Sequence, residues 1–85
     1  TRIGPGMIAH APGAITGTNH EAGVARFHVE GWPRTPYAIL VSGLPKVPSS
    51  VEWTGDQTGL SKQTTQDQRS LILTVQGKGD VILKF

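Results

Sequence analysis

The feature that most constrains this chain is a succession of short apolar runs, most of them alternating, that fills its latter part. Val24–Glu30, Tyr37–Ser42, Ser50–Trp53, Ser70–Val75 and Val81–Phe85 each read as a strand, and no window carries the helical period. In the first of these, Ala25, Phe27 and Val29 fall on one face and Arg26, His28 and Glu30 on the other. Leu71, Leu73 and Val75 alternate with Ile72 and Thr74, and Val51 and Trp53 flank Glu52. Tyr37–Ser42 is apolar on both faces, which predicts a central strand covered on both sides. Together the runs predict an all-β fold, a small antiparallel β-sandwich of about seven short strands.

The punctuation between the runs fits that architecture. Gly31-Trp32-Pro33-Arg34-Thr35-Pro36 forms a rigid connection, because each proline fixes its own φ and biases the preceding residue toward extended backbone. Gly55-Asp56-Gln57-Thr58-Gly59 reads as a loop leading to a weaker strand near Leu60–Thr64, and Gln66–Gln68 as a polar turn. Gly77-Lys78-Gly79-Asp80 predicts a hairpin that pairs Ser70–Val75 with Val81–Phe85, turning Val81, Leu83 and Phe85 inward. Before Val24, glycine and proline are too dense for a helix. Met7–His10 and Ala14–Thr16 are expected as short edge strands, with Thr18–Gly23 as a loop.

Eighty-five residues make a single domain spanning 1–85. At this size about two thirds of the unfolded chain's surface can be buried. There is no cysteine, so neither a disulfide nor a thiolate metal site supports the fold. The core must come from Val, Ile, Leu, Phe and Trp. The net charge is +2, and no two of the eight basic residues are adjacent, so no nucleic-acid partner is expected. No apolar run approaches the roughly 20 residues that span a bilayer, and no membrane partner is expected either. The start at Thr1 and the finish on Lys84–Phe85 predict the C-terminal fragment of a longer polypeptide.

The residues that could carry chemistry do not assemble into a catalytic pattern. His20 and Glu21 are adjacent, and His10 and His28 could approach them from neighbouring strands, but the spacing fits no compact metal motif. Glu30, Glu52, Asp56 and Asp80 sit near strand ends or loops without defining the opposed pair that glycoside hydrolysis needs. Ser49 and Ser50 lack the strand–turn–helix setting of an activated serine. The reading is therefore no catalytic residue, no metal site and no cofactor.

The aromatics are the candidate contacts. Trp32, Tyr37 and Trp53 could form a platform that stacks on a sugar ring or anchors a protein interface. Trp53 is in phase with Val51 and Tyr37 opens a central strand, so both are expected in the core. Trp32, in a loop before a proline, is the best candidate for exposure.

The order of these features resembles a known module. Tyr37-Ala38-Ile39-Leu40-Val41-Ser42-Gly43-Leu44-Pro45 is followed by Ser50-Val51-Glu52-Trp53-Thr54-Gly55, then Ser70-Leu71-Ile72-Leu73-Thr74-Val75, then Gly79-Asp80-Val81-Ile82-Leu83-Lys84-Phe85. This resembles the small C-terminal β-sandwich that follows the catalytic barrel in many glycoside hydrolases, including the α-L-fucosidase and α-glucosidase types. In those families a strand ending in a turn leads to one carrying a glycine, and a late Leu-x-Leu strand pairs with a final Val-x-Leu strand. The likeness covers residues 24–85. It implies a non-catalytic accessory module whose partner is the catalytic domain of the same polypeptide, in an extracellular, periplasmic or lysosomal setting. Catalytic carboxylates of such enzymes belong to the barrel, so none is carried onto this chain. A carbohydrate-binding module using exposed aromatics and a structural or adhesion domain are the alternative expectations.

Overall fold

A computed structural model describes residues 1–85. The chain forms nine strands and no helix: β1 (Arg2–Gly4), β2 (Met7–His10), β3 (Ala14–Glu21), β4 (Val24–Glu30), β5 (Tyr37–Ser42), β6 (Ser50–Trp53), β7 (Asp56–Thr64), β8 (Ser70–Gln76) and β9 (Lys78–Lys84). One sheet, here sheet A, has the order β1-β2-β5-β8-β7, and sheet B has the order β3-β4-β9-β6. Every pairing is antiparallel. The fold is the small β-sandwich that the alternation predicts.

The two sheets close on one apolar core. Sheet A contributes Ile3, Met7, Ala9, Tyr37, Ile39, Val41, Leu71, Leu73 and Val75, and sheet B contributes Ala25, Phe27, Val29, Trp53, Val81 and Leu83. Leu44, from the connection after β5, joins them. No polar or charged side chain is buried. Each fully buried Leu or Phe contributes roughly 1.5–3 kcal/mol of transfer free energy, so the sandwich rests on this layer.

Five sequence expectations need correction. β2, expected at an edge, lies between β1 and β5 because Arg2–Gly4 adds a further strand outside it. β3 runs to Glu21, through residues read as a loop. Gly17 adopts φ 60° at a bulge in which Gly17 and Thr18 stand opposite Phe27, and this lets a polar stretch stay in the ladder. β7 begins at Asp56 rather than near Leu60, because a register break between Asp56 and Ser61 absorbs the Gly59 region. β5 is central, between β2 and β8, but only its inner face is covered; Ala38 and Leu40 are exposed.

The fifth correction concerns the late strands. β8 and β9 do not form a hairpin. β8 pairs with β5 and β7, whereas β9 pairs with β4 and β6. The single linking residue, Gly77, has φ 75° and carries the chain from one sheet to the other. Its N–H donates to the Trp32 carbonyl at 2.7 Å, and its carbonyl accepts from the Gly31 N–H at 3.2 Å. Gly31 and Trp32 belong to the β4–β5 connection, which also crosses between sheets. Two crossovers are thus bonded side by side at one end of the sandwich. The pairing of late strands implied by the glycoside-hydrolase resemblance is not the pairing seen here.

Candidate functional site

The three aromatics named from sequence occupy different environments. Tyr37 and Trp53 are each 5% exposed and belong to the core. The Tyr37 hydroxyl donates to the Gly77 carbonyl at 2.5 Å, and burial pushes this phenol above its ordinary pKa. The Trp53 indole N–H donates to the Asp56 carbonyl at 3.0 Å. Trp32 is 54% exposed, as its loop position predicts. It stands edge-on to Tyr37 with ring centroids 6.3 Å apart, and its backbone is pinned by Gly77. Of the three, only Trp32 offers a broad free surface.

The outward face of sheet B is charged and internally matched. Register places His28 of β4 opposite Asp80 of β9. His28 Nδ1 lies 2.7 Å from Asp80 Oδ1, and His28 Nε2 lies 3.2 Å from Glu30 Oε1. Arg26 Nε donates to Asp80 Oδ2 at 3.0 Å, with a second Arg26 nitrogen on the same oxygen. The Asp80 N–H donates to Thr54 Oγ1 at 2.8 Å. Hydrogen bonds to Asp80 and then Glu30 raise the His28 pKa above 6.5. The same bond from His28, followed by that from Arg26, holds the Asp80 carboxyl below 3.8. Across β9, Lys84 Nζ is 3.7 Å from Glu52. Asp80 and Glu52 therefore each have a cationic partner on their own face, and Glu30 has one when His28 is protonated.

The outward face of sheet A has a different chemistry. β2, β5 and β8 contain no Asp, Glu, Lys or Arg. Leu40 lies beside Ile72 in register, with His10 on its other side, and Ile8 is diagonal to it. Ile8 is 43% exposed and Leu40 38%. Ala38, Ser42, Ser70 and Thr74 complete a flat surface of small and apolar side chains. Charge enters this face at the edge strands, where Arg2 stands opposite Ile8 and Asp56 opposite Gln76, whereas the face of sheet B carries it on central strands.

The remaining sequence candidates stay apart. His10 pairs with Leu40, His20 with Ala25 and His28 with Asp80, so the three imidazoles do not converge. No group of three metal-ligating side chains is assembled. Asp56 and Asp67 are each held low by local bonds, Asp56 by the Thr58 N–H and Asp67 by the Thr65 hydroxyl and then the Arg69 N–H. Ser49 Oγ donates to the Lys84 carbonyl at 3.0 Å, with no base beside it. The one concave feature is an open depression lined by Thr1, Arg2, Gly6 and Ile8. Sequence reasoning placed His28 on a polar strand face but did not foresee the cluster around it. Finding the cluster requires the register between β4 and β9, elements separated by more than half the chain.

Comparison with protein-family models, curated proteins and solved structures finds no match for this chain. The class defined by the structure is a small antiparallel β-sandwich with one charge-matched face and one face whose three middle strands carry no Asp, Glu, Lys or Arg.

Proposed function

We propose that this sandwich is a non-catalytic accessory module of a carbohydrate-active enzyme, packing against the catalytic domain through the outward face of sheet A. The observation that carries this reading is the contrast between the two faces. A surface destined for solvent normally intersperses charge, as sheet B does. The middle of a protein interface is depleted of charge and tolerates exposed aliphatic side chains. The absence of any buried polar or charged side chain also favours a non-catalytic role, because reacting groups gain their strength in desolvated, preorganised surroundings. The carbohydrate setting rests on the order of strands and turns over residues 24–85.

The test is a Leu40→Lys, Ile72→Glu double variant, whose opposite charges face each other across β5 and β8, made both in this chain and in the full gene product. The expected result is an isolated sandwich that melts as the wild type does. The full product should hydrolyse a glycoside and lose that activity at a lower temperature than wild type. A gene product without glycosidase activity, or one whose thermal tolerance is unchanged by the variant, overturns the reading.

One observation favours a second reading, a sugar-binding module. Trp32 combines high exposure with a backbone fixed by Gly77 and a ring flanked by Tyr37, so an indole face is presented at little entropic cost. A glycan array comparing wild type with Trp32→Ala checks it. Binding that disappears in the variant supports this reading, and no binding across plant, bacterial and animal glycans removes it.

A further inference from the structure

The geometry around His28 points to a proton-operated clasp. We propose that the His28 imidazolium ties Asp80 of β9 to Glu30 at the end of β4, and that losing its proton releases Glu30 and loosens the corner that holds Trp32. Both ring nitrogens face carboxylate oxygens, at 2.7 Å and 3.2 Å. A neutral imidazole has one N–H, so one of its nitrogens would present a lone pair to a carboxylate oxygen. Only the imidazolium donates to both partners.

The contact that yields is the one to Glu30. It is the longer of the two, the Glu30 side chain is 60% exposed against 24% for Asp80, and Glu30 has no other hydrogen-bond or ion-pair partner. Asp80 stays anchored by Arg26. Glu30 directly precedes Gly31, whose N–H bonds the Gly77 carbonyl, while the Gly77 N–H bonds Trp32. Freeing the end of β4 therefore acts on the two backbone bonds that join the crossovers.

Lys78 aside, the ionisable groups of the neighbouring strands lie apart from this corner or are already paired; on β3, His20 and Glu21 stand opposite Ala25 and Val24, at the other end of β4 from Glu30. β4 presents Arg26 and Glu30, and β9 presents Asp80 and Lys78, the register partner of Glu30. From β3, Ala14, Thr16 and Asn19 stand opposite Glu30, His28 and Arg26, and none of them ionises. β6 adds Glu52, which is paired with Lys84. Because folding raises the His28 pKa, its contribution is complete below the unfolded value near 6.5 and fades as pH rises through the higher folded value. Asp80 is lowered, so its contribution persists until pH falls through its folded value, below 3.8. The corner is tightest between those limits.

Nitrogen NMR and amide hydrogen exchange on this chain, at about pH 5.5 and about pH 8.5, provide the test. The expected result is a His28 ring protonated on both nitrogens at the lower pH, with a titration midpoint above 6.5. Protection of the Gly31 and Gly77 amides, corrected for intrinsic exchange, should fall by about two- to fivefold at the higher pH, the scale of an exposed ion pair. Glu30→Gln should leave His28 titrating through its bond to Asp80, with a lower midpoint than wild type, but abolish the pH dependence at Gly31 and Gly77. A midpoint at or below 6.5 overturns the proposal. So does exchange at the corner that ignores pH in wild type, or that remains pH-dependent in Glu30→Gln.

Discussion

Ala22 is the residue at which local strain is most easily relieved. It is the first of two residues, Ala22 and Gly23, linking β3 to β4, and both have positive φ, 50° and 77°. A tight hairpin with this backbone favours Asn or Gly at its first position, because a Cβ in the left-handed region crowds the following carbonyl. Ala22→Asn is expected to stabilise the fold by about 0.5–1 kcal/mol, seen as a higher urea midpoint at unchanged slope. Gly31 is constrained in the opposite sense. A Cβ there would overlap the Tyr37 ring, so the corner accepts no side chain at that position. Sequence alone revealed the inward set Ala25, Phe27 and Val29 and the burial of Trp53, and it marked Trp32 as the best candidate for exposure. These follow from the two-residue period or from loop chemistry. It did not reveal the Ala22 turn, since Ala-Gly lacks the usual Asn-Gly or Asp-Gly signature.

At the scale of elements, periodicity located the strongly apolar strands and failed where pattern and pairing separate. β3 and β7 are rich in Thr, Gln, Gly and Asn, and their places in the sheets come from edge pairing and bulges rather than from buried side chains. The β8–β9 connection failed for another reason. A glycine-centred segment between two alternating runs looks the same whether it makes a hairpin or a corner, and the choice depends on which neighbours the strands find. The two strands are still both core elements. Leu73 on β8 and Val81 on β9 are fully buried in opposing sheets, so truncating either to Ala leaves a cavity worth about 1–4 kcal/mol. Leu40→Ala, on the outward face of β5, should cost much less. Thermal melts of the three variants check the order, and an equal loss at Leu40 would show that the outward face supports the fold itself.

For the molecule as a whole, only three consecutive pairs are hairpins within one sheet: β1–β2, β3–β4 and β7–β8. Every other connection crosses between sheets, so most of the core requires contacts between distant parts of the chain. Such topologies fold in about milliseconds to seconds, and stopped-flow refolding followed by tryptophan fluorescence should fall in that range. Folding in microseconds would contradict this strand order. The carbohydrate reading also belongs to this scale, since it depends on a partner surface that a single sequence does not display. The asymmetry between the two sheet faces becomes visible only once the strands are assigned to sheets.

The position of β9 has a consequence for how the molecule is made. It is the last strand in the chain, yet it lies between β4 and β6 and is the only link between them. As the chain leaves the ribosome, the β3–β4 hairpin and much of sheet A can form, but β6 has no sheet to join. The inner side of sheet A also has only part of its cover. The nascent chain therefore exposes its apolar layer until residues 78–84 have emerged, and the sandwich closes in one late step. The emergence of β9 sets the moment of closure, whereas the order in which the earlier strands appear does not.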